Sequence, residues 1–498
     1  MPSFTPRSLW QIGRLDPKRL RWYLGRGIAR AVGATLMGLL IAMHLRWPAD
    51  MSGIFGAVLV SLVASLLLRY HLQQADLRTT TPRTAEKLVW SAALVGVFGV
   101  QAILLLEGGR DLDPQTFLIM APLAAQAMLT AALIGPGIGI VGLTLTVVLL
   151  GMFGAVPTEM LAACWLAGAV GCHAVNHLKR RSDLFKALSV QVGVQALLAA
   201  VTAAVVPFSF LQGVLSVGWA GLAAVVGLSI FWFGVAAFER LYGIVSDWTL
   251  LELCSPENQL MRDLNLQAPG TYAHSVGVGN LAENAATDIG ANAVLCRTMA
   301  YYHDVGKLAR PSYFAENQAG GNVHDELAPS LSAKVISAHV KDGVEMAKKA
   351  GLPKAIIDGI EQHHGTSLIT YFYHRALEDG AEGDGLEEQF RYAGPKPQTR
   401  ETAILHLADM VEAASRSIRG KERLETAIRG LIDATRADGQ LDECDLTFRD
   451  LQTVADSFVH SLGALRHERV TYPGQEKDEK DAKAHGGDSE RVVGAIEG

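Results

Sequence analysis

The chain has 498 residues, of which 49% are hydrophobic and 19% are charged, and its formal net charge is −6. Its mean hydropathy of +0.21 is too high for an ordinary soluble enzyme. The negative net charge and the lack of a basic cluster after Glu239 argue against nucleic acid as a partner. The five cysteines include no closely spaced pair, so we expect neither a zinc knuckle nor a disulfide framework.

Long apolar runs with few charges fill the first half of the chain. A helix needs about 20 mostly apolar residues to cross a bilayer. Eight runs approach that length, which predicts a membrane domain over 28–238 with about eight transmembrane helices. The predicted spans are 28–45, 51–68, 88–106, 116–134, 137–156, 159–178, 185–206 and 213–238.

Residues 1–27 form a basic segment, which we interpret as a cytoplasmic N-terminus. The segment resembles the start of a signal peptide, but no small-residue cleavage site is clear and the apolar runs repeat. We therefore expect the first span to be retained.

The basic residues of the short connections predict the orientation of the spans. Lys and Arg stay preferentially on the cytoplasmic side. The connections after the second and sixth predicted spans are rich in these residues, whereas the opposite connections offer only Arg46 and Arg110. Eight spans then place both termini in the cytoplasm, which predicts a multi-pass protein of the bacterial inner membrane.

The second half of the chain is charged and helically patterned, with no convincing alternating strand. We expect a linker helix over 239–269, an all-helical domain over 270–473 and a disordered tail over 474–498. Within the helical domain, the predicted helices cover about 270–289, 293–303, 331–349, 353–364 and 401–417. The predicted fold class is therefore all-α, with a transmembrane bundle followed by a helical bundle.

Histidine and aspartate recur on these separate helices or at their ends. The stretch YYHDVGK contains His303, Asp304 and Lys307, and a second His-Asp pair, His324-Asp325, shows that the dipeptide alone is weak evidence. Imidazole and carboxylate groups on facing bundle helices can bind first-row divalent metals. The full candidate set is His274, His303, Asp304, His339, His363, His364 and Asp409.

This order of residues resembles the HD-domain metal phosphohydrolases. Narrower motifs, including HSVGVGNLAENAATDIGAN, YYHDVGKL, QHHGT and LADMVEAA, are similar to those of the membrane-bound seven-transmembrane HD proteins of the PgpH type, which hydrolyse cyclic di-AMP. The resemblance implies two divalent ions, Mn or Fe, bridged by Asp304. It implies that His274, His303 and Asp409 complete one site, and that His339, His363 and His364 complete the other.

The resemblance also suggests which residues contact substrate. Lys307 would lie next to the phosphate and act with Asp304 in catalysis. Arg391, Tyr392 and Lys396 are candidates for phosphate and base contacts, because Arg forks fit phosphate and aromatic rings stack on bases. Family members often carry a large extracytoplasmic domain after the first span, whereas only 46–50 separate the first two spans here.

The predicted function is hydrolysis of cyclic di-AMP to pApA by metal-activated hydroxide on the cytoplasmic side of the membrane. The lipid bilayer and a cyclic dinucleotide are the expected partners, and a homodimer stays open. One alternative is a membrane receptor or transporter whose HD domain binds a nucleotide. Another is an HD hydrolase of a different nucleotide, although the HHGTSLITYFYHRA stretch lacks the Gly-Tyr-Pro of cyclic di-GMP phosphodiesterases.

Overall fold

The computed structural model describes residues 51–465 except 76–80, 108–111, 153–155, 177, 179–180, 319, 417 and 419–420. Helices dominate this part of the chain, and its only extended pairing is one isolated bridge between Leu368 and Arg391. The predicted all-α class is therefore confirmed. The basic N-terminus, the predicted span 28–45 and the predicted tail 474–498 lie outside the described residues.

Seven helices form the membrane region within the described residues, and each of the seven predicted spans located there overlaps one of them. A 3-10 helix, Pro114–Ile119, leads directly into the third helix. The seven are α1 (Met51–Gln74), α2 (Pro82–Glu107), α3 (Met120–Leu133), α4 (Pro136–Met152), α5 (Thr158–Val175), α6 (Arg181–Val205) and α7 (Phe210–Tyr242). Among the described residues, five segments are long and apolar enough to cross a membrane, and α4 is apolar but shorter.

Helix α3 lies at the centre of this region and packs against α2, α4, α5 and α7. Small residues allow the close approach, because helices in a bilayer associate through packing rather than through a hydrophobic driving force. A Cβ atom on Gly227 of α7 would lie 2.9 Å from the carbonyl oxygen of Ala121 on α3. This contact requires glycine at position 227.

The segment between the membrane region and the second half does not form the single linker helix predicted over 239–269. Helix α7 ends at Gly243, whose left-handed φ of 64° suits glycine, and the chain continues as α8 (Asp247–Leu253) and α9 (Gln259–Gln267). Pro256 lies between the two short helices and cannot donate a helical hydrogen bond. The end of α7 and the two short helices α8 and α9 therefore take the place of the single predicted helix.

Direct hydrogen bonds join α7, α8 and the following domain. Glu239 near the end of α7 accepts from the backbone N–H of Ser246 at 2.7 Å and from the Thr249 hydroxyl at 3.0 Å. Farther along, the Tyr302 hydroxyl donates to the carbonyl oxygen of Leu253 at the end of α8 at 2.8 Å. Helix α8 therefore contacts both the last membrane helix and the residue that precedes His303.

The helical domain packs around one continuous apolar core. Its helices are α10 (Pro269–Asp288), α11 (Ala293–Tyr302), α12 (Pro329–Lys349), α13 (Lys354–Gln362), α14 (Thr370–Glu378), α15 (Arg400–Ser415), α16 (Lys421–Ala437) and α17 (Phe448–Leu465). Helices α10, α11 and α15 pack against one another, and α17 covers α10. The five helices predicted from the sequence are confirmed to within a few residues, whereas α14, α16 and α17 were not predicted.

Between α11 and α12 the chain runs through four short 3-10 turns, from Val305 to Glu326. Gly306 lies in the first of these turns and packs against α12. A Cβ atom on it would lie 1.9 Å from the carbonyl oxygen of His339. Only glycine allows this approach. It places the end of α11 directly beside the middle of α12, and this is where the predicted metal ligands meet.

Candidate metal centre

All seven residues of the predicted ligand set converge on one place in the helical domain. His274 lies within α10, His339 within α12 and Asp409 within α15. The His303-Asp304 and His363-His364 pairs follow the ends of α11 and α13. Six of the seven are buried, and His364 is partly exposed with 22% of its side chain accessible.

The two oxygens of the Asp304 carboxylate face different histidines. Its Oδ2 atom lies 3.2 Å from His303 Nε2 and 3.6 Å from His274 Nε2. Its Oδ1 atom lies 3.3 Å from His339 Nε2 and 3.8 Å from His363 Nε2. Asp304 therefore stands between two groups of imidazoles and presents one oxygen to each.

Asp409 lies close to three of the histidines. Its Oδ1 atom lies 2.9 Å from His274 Nε2 and 3.6 Å from His303 Nε2. Its Oδ2 atom lies 3.7 Å from Nδ1 of His364. Three overlapping groups within the described residues bring their ligand atoms within 4.8 Å of one another, and each contains Asp304 or Asp409.

Local hydrogen bonds determine which nitrogen of each buried imidazole points inward. In His303, His339 and His363, Nδ1 lies 2.7 to 2.8 Å from the carbonyl oxygen three residues earlier in the chain. A carbonyl oxygen only accepts, so Nδ1 must be the N–H donor and Nε2 carries the lone pair. In their neutral forms all three rings therefore direct a lone pair at the centre.

This arrangement fits a bound cation better than a self-sufficient hydrogen-bond network. The Nε2 atoms of His339 and His363 are 3.1 Å apart, and both carry lone pairs by the preceding argument. The buried atoms His303 Nε2 and Asp304 Oδ1 have no hydrogen-bond partner among the described residues. Buried polar groups are normally satisfied, so these atoms indicate a ligand that neutralises their repulsion. A divalent metal ion with imidazole and carboxylate ligands meets that requirement.

The metal-free electrostatics divide the histidines into two groups. Burial alone would lower the pKa values of His274 and His303, but the neighbouring carboxylates outweigh it and raise them to about 9 and about 10. Burial lowers the pKa values of the other three, which lie among imidazoles, and they are His339, His363 and His364. Although burial opposes ionisation of Asp304, the charges of His303 and Lys307 hold its pKa well below the usual range.

Lys307 is already engaged in ion pairs beside the centre. Its Nζ atom lies 2.8 Å from Asp304 Oδ2 and 2.7 Å from Glu316 Oε1. The Thr271 hydroxyl donates to the same Glu316 oxygen at 2.9 Å. Lys307 therefore contacts the carboxylate that stands between the two histidine groups, and its side chain is only 13% exposed.

The three predicted substrate contacts lie in different surroundings. Tyr392 stacks on His364 with ring centroids 4.1 Å apart, and both line a cavity of about 400 Å³. Arg391 also lines this cavity, but its guanidinium pairs with Glu387 and Asp438. Lys396 is not among the cavity-lining residues and lies beside the Gly439 turn. Of the three, only Tyr392 contacts a predicted ligand.

Three residues around the centre were not predicted from the sequence. His406 is buried, and its Nδ1 donates to the carbonyl oxygen of His363 at 2.6 Å. Glu316 and Glu412 contact Lys307 and His274. Glu412 could have been predicted from helical spacing, because residues 409 and 412 share a face of α15. His324 of the second His-Asp pair lies apart from the centre and contacts Tyr313.

Fold and site together define a helical membrane protein that carries a His/Asp metal centre in a helical domain. Comparison with known proteins agrees with this class. Residues 271–414 match the family model described as HD domain, and residues 48–246 match the one described as 7TM receptor with intracellular HD hydrolase.

Individual relatives match large parts of the chain. Cyclic-di-AMP phosphodiesterase PgpH of Bacillus subtilis is 47% identical over 267 residues, which are 53% of this chain and 36% of that protein. An uncharacterized protein of Synechocystis is 36% identical over 381 residues, which are 70% of this chain and 45% of that protein. A crystal structure of the Listeria monocytogenes PgpH HD domain with cyclic-di-AMP shares 43% identity, covering 43% of this chain and 100% of that one, with a TM-score of 0.41.

The chain belongs to the family of membrane-bound HD-domain proteins of the PgpH type. The HD match implies a divalent metal site, and the His/Asp cluster is where this chain can hold it. The aligned part spans less than half the length of the curated relatives.

Proposed function

We propose that the chain is a phosphodiesterase that hydrolyses cyclic di-AMP to pApA with two divalent metal ions in its HD domain, residues 270–473. The placement of Asp304 carries this proposal, because each of its carboxylate oxygens faces a different pair of histidines. A carboxylate in that position can bridge two ions about 3.5 to 4 Å apart, the usual spacing in two-metal hydrolases.

The donor atoms divide naturally between two ions that share Asp304. The first ion would be held by His274, His303 and Asp409, whose donor atoms surround Asp304 Oδ2. The second would be held by His339 and His363, which face Oδ1, together with His364, which shares a candidate ligand group with them and Asp304. Mixed imidazole and carboxylate ligation suits Mn²⁺ or Fe²⁺, which are the ions we expect.

The protein's own groups prepare the site for phosphodiester hydrolysis. Bound divalent ions would supply an acidified water and neutralise charge on the phosphoryl oxygens. Lys307, held by Glu316, keeps Asp304 oriented and leaves positive charge close to the reacting phosphate. Tyr392 stands beside His364 at the mouth of the 400 Å³ cavity, where its ring can stack on an adenine base.

Two lines of support favour cyclic di-AMP over other nucleotides. Two relatives, 47% and 42% identical over 267 residues, are named cyclic-di-AMP phosphodiesterases. The seven-residue donor set also exceeds the four ligands that a mononuclear HD nucleotidase needs. We further propose that the HD domain and both termini lie in the cytoplasm, as the basic connections predict. A receptor or transporter that only binds nucleotide would not need this donor set.

The proposal can be tested with the full chain purified in detergent, stripped of metal and reloaded with Mn²⁺ or Fe²⁺. We expect hydrolysis of cyclic di-AMP to pApA, loss of turnover on chelation and recovery on adding metal. The substrate panel should include cyclic di-GMP, linear dinucleotides and a short RNA, because Ribonuclease Y proteins also match part of the chain. Preference for any of these over cyclic di-AMP, or binding without hydrolysis, would contradict the proposal.

A further inference from the structure

His274 differs from the other buried histidines of the centre in what its outer nitrogen contacts. In His303, His339 and His363, Nδ1 donates to a backbone carbonyl of its own helix. In His274, Nδ1 lies 2.5 Å from Oε2 of Glu412. One of the four imidazoles therefore bonds to a charged carboxylate instead of a neutral carbonyl.

A single helix contacts both nitrogens of this ring. Asp409 and Glu412 are three residues apart on α15, so their side chains share one face of the helix. Asp409 Oδ1 lies 2.9 Å from His274 Nε2, while Glu412 holds Nδ1. Because a carboxylate only accepts, Nδ1 donates to Glu412, and Nε2 is the nitrogen left to ligate a metal ion once its own proton is released.

The surroundings hold the Glu412 carboxylate in a defined position. Its other oxygen, Oε1, pairs with Arg416 at 2.9 Å one turn later on α15. On α10, one turn after His274, a Cβ atom at Gly277 would lie only 3.2 Å from the same oxygen. The Glu412 side chain is 14% exposed, whereas Arg416 is 48% exposed. Gly277 on α10 and Arg416 at the end of α15 therefore enclose the Glu412 carboxylate.

We propose that Glu412 is a positioning residue of the metal centre, which fixes the ring orientation and tautomer of His274 and makes that imidazole a stronger ligand. This inference rests on the proposed role of His274 as a metal ligand. A hydrogen bond from a ligating imidazole to a carboxylate increases the basicity of the ligand, and loss of such a partner typically weakens metal binding about 10- to 100-fold. The effect should fall on the ion next to Asp304 Oδ2.

The test compares Mn²⁺ binding by the full chain and by Glu412→Gln, Glu412→Ala and Glu412→Asp. We expect the first ion to bind about 10- to 100-fold more weakly in Glu412→Gln, and at least as weakly in Glu412→Ala. Glu412→Asp keeps the charge and should lose less affinity than Glu412→Gln. The matched control is Glu283→Gln, which removes a partly buried carboxylate of α10 that pairs with Arg297. This control should bind Mn²⁺ as the wild type does.

The outcomes separate the role of Glu412 from that of the whole centre. Metal affinity in Glu412→Gln equal to the wild-type value would overturn the inference and leave the proposed function standing. A lower melting temperature of the metal-free variant with unchanged metal affinity would do the same, because it would show a purely structural role. A wild-type chain that binds no Mn²⁺ would overturn both proposals, before any substrate is added.

Discussion

The membrane region and the HD domain both bury polar side chains, but they do so differently. In the interior of the membrane helices, buried Gln126 donates to Thr146 at 2.7 Å, and Gln191 donates to the carbonyl oxygen of Ala167 on the neighbouring helix at 3.1 Å. These groups are neutral and join pairs of neighbouring residues. In the HD domain, by contrast, ionisable side chains from five segments meet in one place, and the Nε2 lone pairs of neutral His339 and His363 face each other at 3.1 Å.

The comparison shows what a buried polar group reveals about function. Neutral amides and hydroxyls that bond to one another hold helices together, as is usual in a bilayer. Imidazoles and carboxylates that point lone pairs at one another are destabilising by themselves and require a cation. We therefore attribute helix packing to the neutral pairs of the membrane region, and metal chemistry to the imidazoles and carboxylates of the HD domain. Substitutions should separate the two roles.

The largest expected effect is on turnover in the HD domain. Asp304→Asn keeps the shape of the side chain but removes the charge shared by both histidine groups. We expect turnover of cyclic di-AMP to fall at least about a thousandfold, or roughly 4 kcal/mol in activation free energy. The matched control is Asp325→Asn, in the second His-Asp pair, where the side chain is exposed and belongs to none of the candidate ligand groups. Equal losses in the two variants would contradict the account.

Metal affinity should increase with pH. In the metal-free state the pKa values of His274 and His303 are about 9 and about 10, so both rings are protonated near neutral pH. An imidazolium cannot ligate a metal, so binding must release these protons. The dissociation constant for Mn²⁺, measured by titration from pH 6 to 8, should fall up to about tenfold per pH unit for each proton released. A dissociation constant that rises with pH would be incompatible with this site.

A packing change in the membrane region should affect stability and leave the metal centre alone. Gly227→Leu forces a side chain against the backbone of α3 at Ala121, and overpacking of this kind costs about 1 to 3 kcal/mol. The melting temperature in detergent should fall, with unchanged Mn²⁺ affinity. The matched control is Gly221→Leu on the same helix, where a Cβ atom meets nothing within 4 Å. Loss of metal binding in Gly227→Leu would contradict the claim that packing in the membrane region is independent of the metal centre.

The smallest effect concerns the polar pairs in the membrane helices. Gln126→Leu removes the hydrogen bonds to Thr146 and to the carbonyl oxygen of Gly142. Such bonds contribute about 0.6 kcal/mol on average in membrane proteins. We expect a slight decrease in melting temperature and full phosphodiesterase activity. A complete loss of activity in this variant would assign Gln126 a function that neutral pairing does not explain.

The sequence predicted the architecture well because both of its signals are local. Apolar runs located the spans, and helical patterning located α10, α11, α12, α13 and α15. The linker over 239–269 was predicted as one helix, but Gly243 and Pro256 divide it. Helices α14, α16 and α17 were not predicted, because they carry none of the candidate metal ligands that guided the prediction.

Within the site, the sequence predicted the residues that converge but not the contacts between them. The fold brings together the segments in which two ion pairs form, one between Lys307 and Glu316 and the other between Arg391 and Asp438. The role of His406 depends on where α13 ends, because it bonds to the carbonyl oxygen of His363. Such partners are set by tertiary packing, which residue spacing does not encode.

The central claim is that Asp304 bridges two metal ions, and the most direct measurement is the metal content of the purified full chain. Mn²⁺ or Fe²⁺ bound per chain should be counted after dialysis in wild type, His364→Ala and Asp304→Ala. The account predicts about two ions in wild type, about one in His364→Ala, which removes a ligand of the second site only, and fewer than one in Asp304→Ala. One ion in wild type, or two in His364→Ala with undiminished turnover, would contradict it.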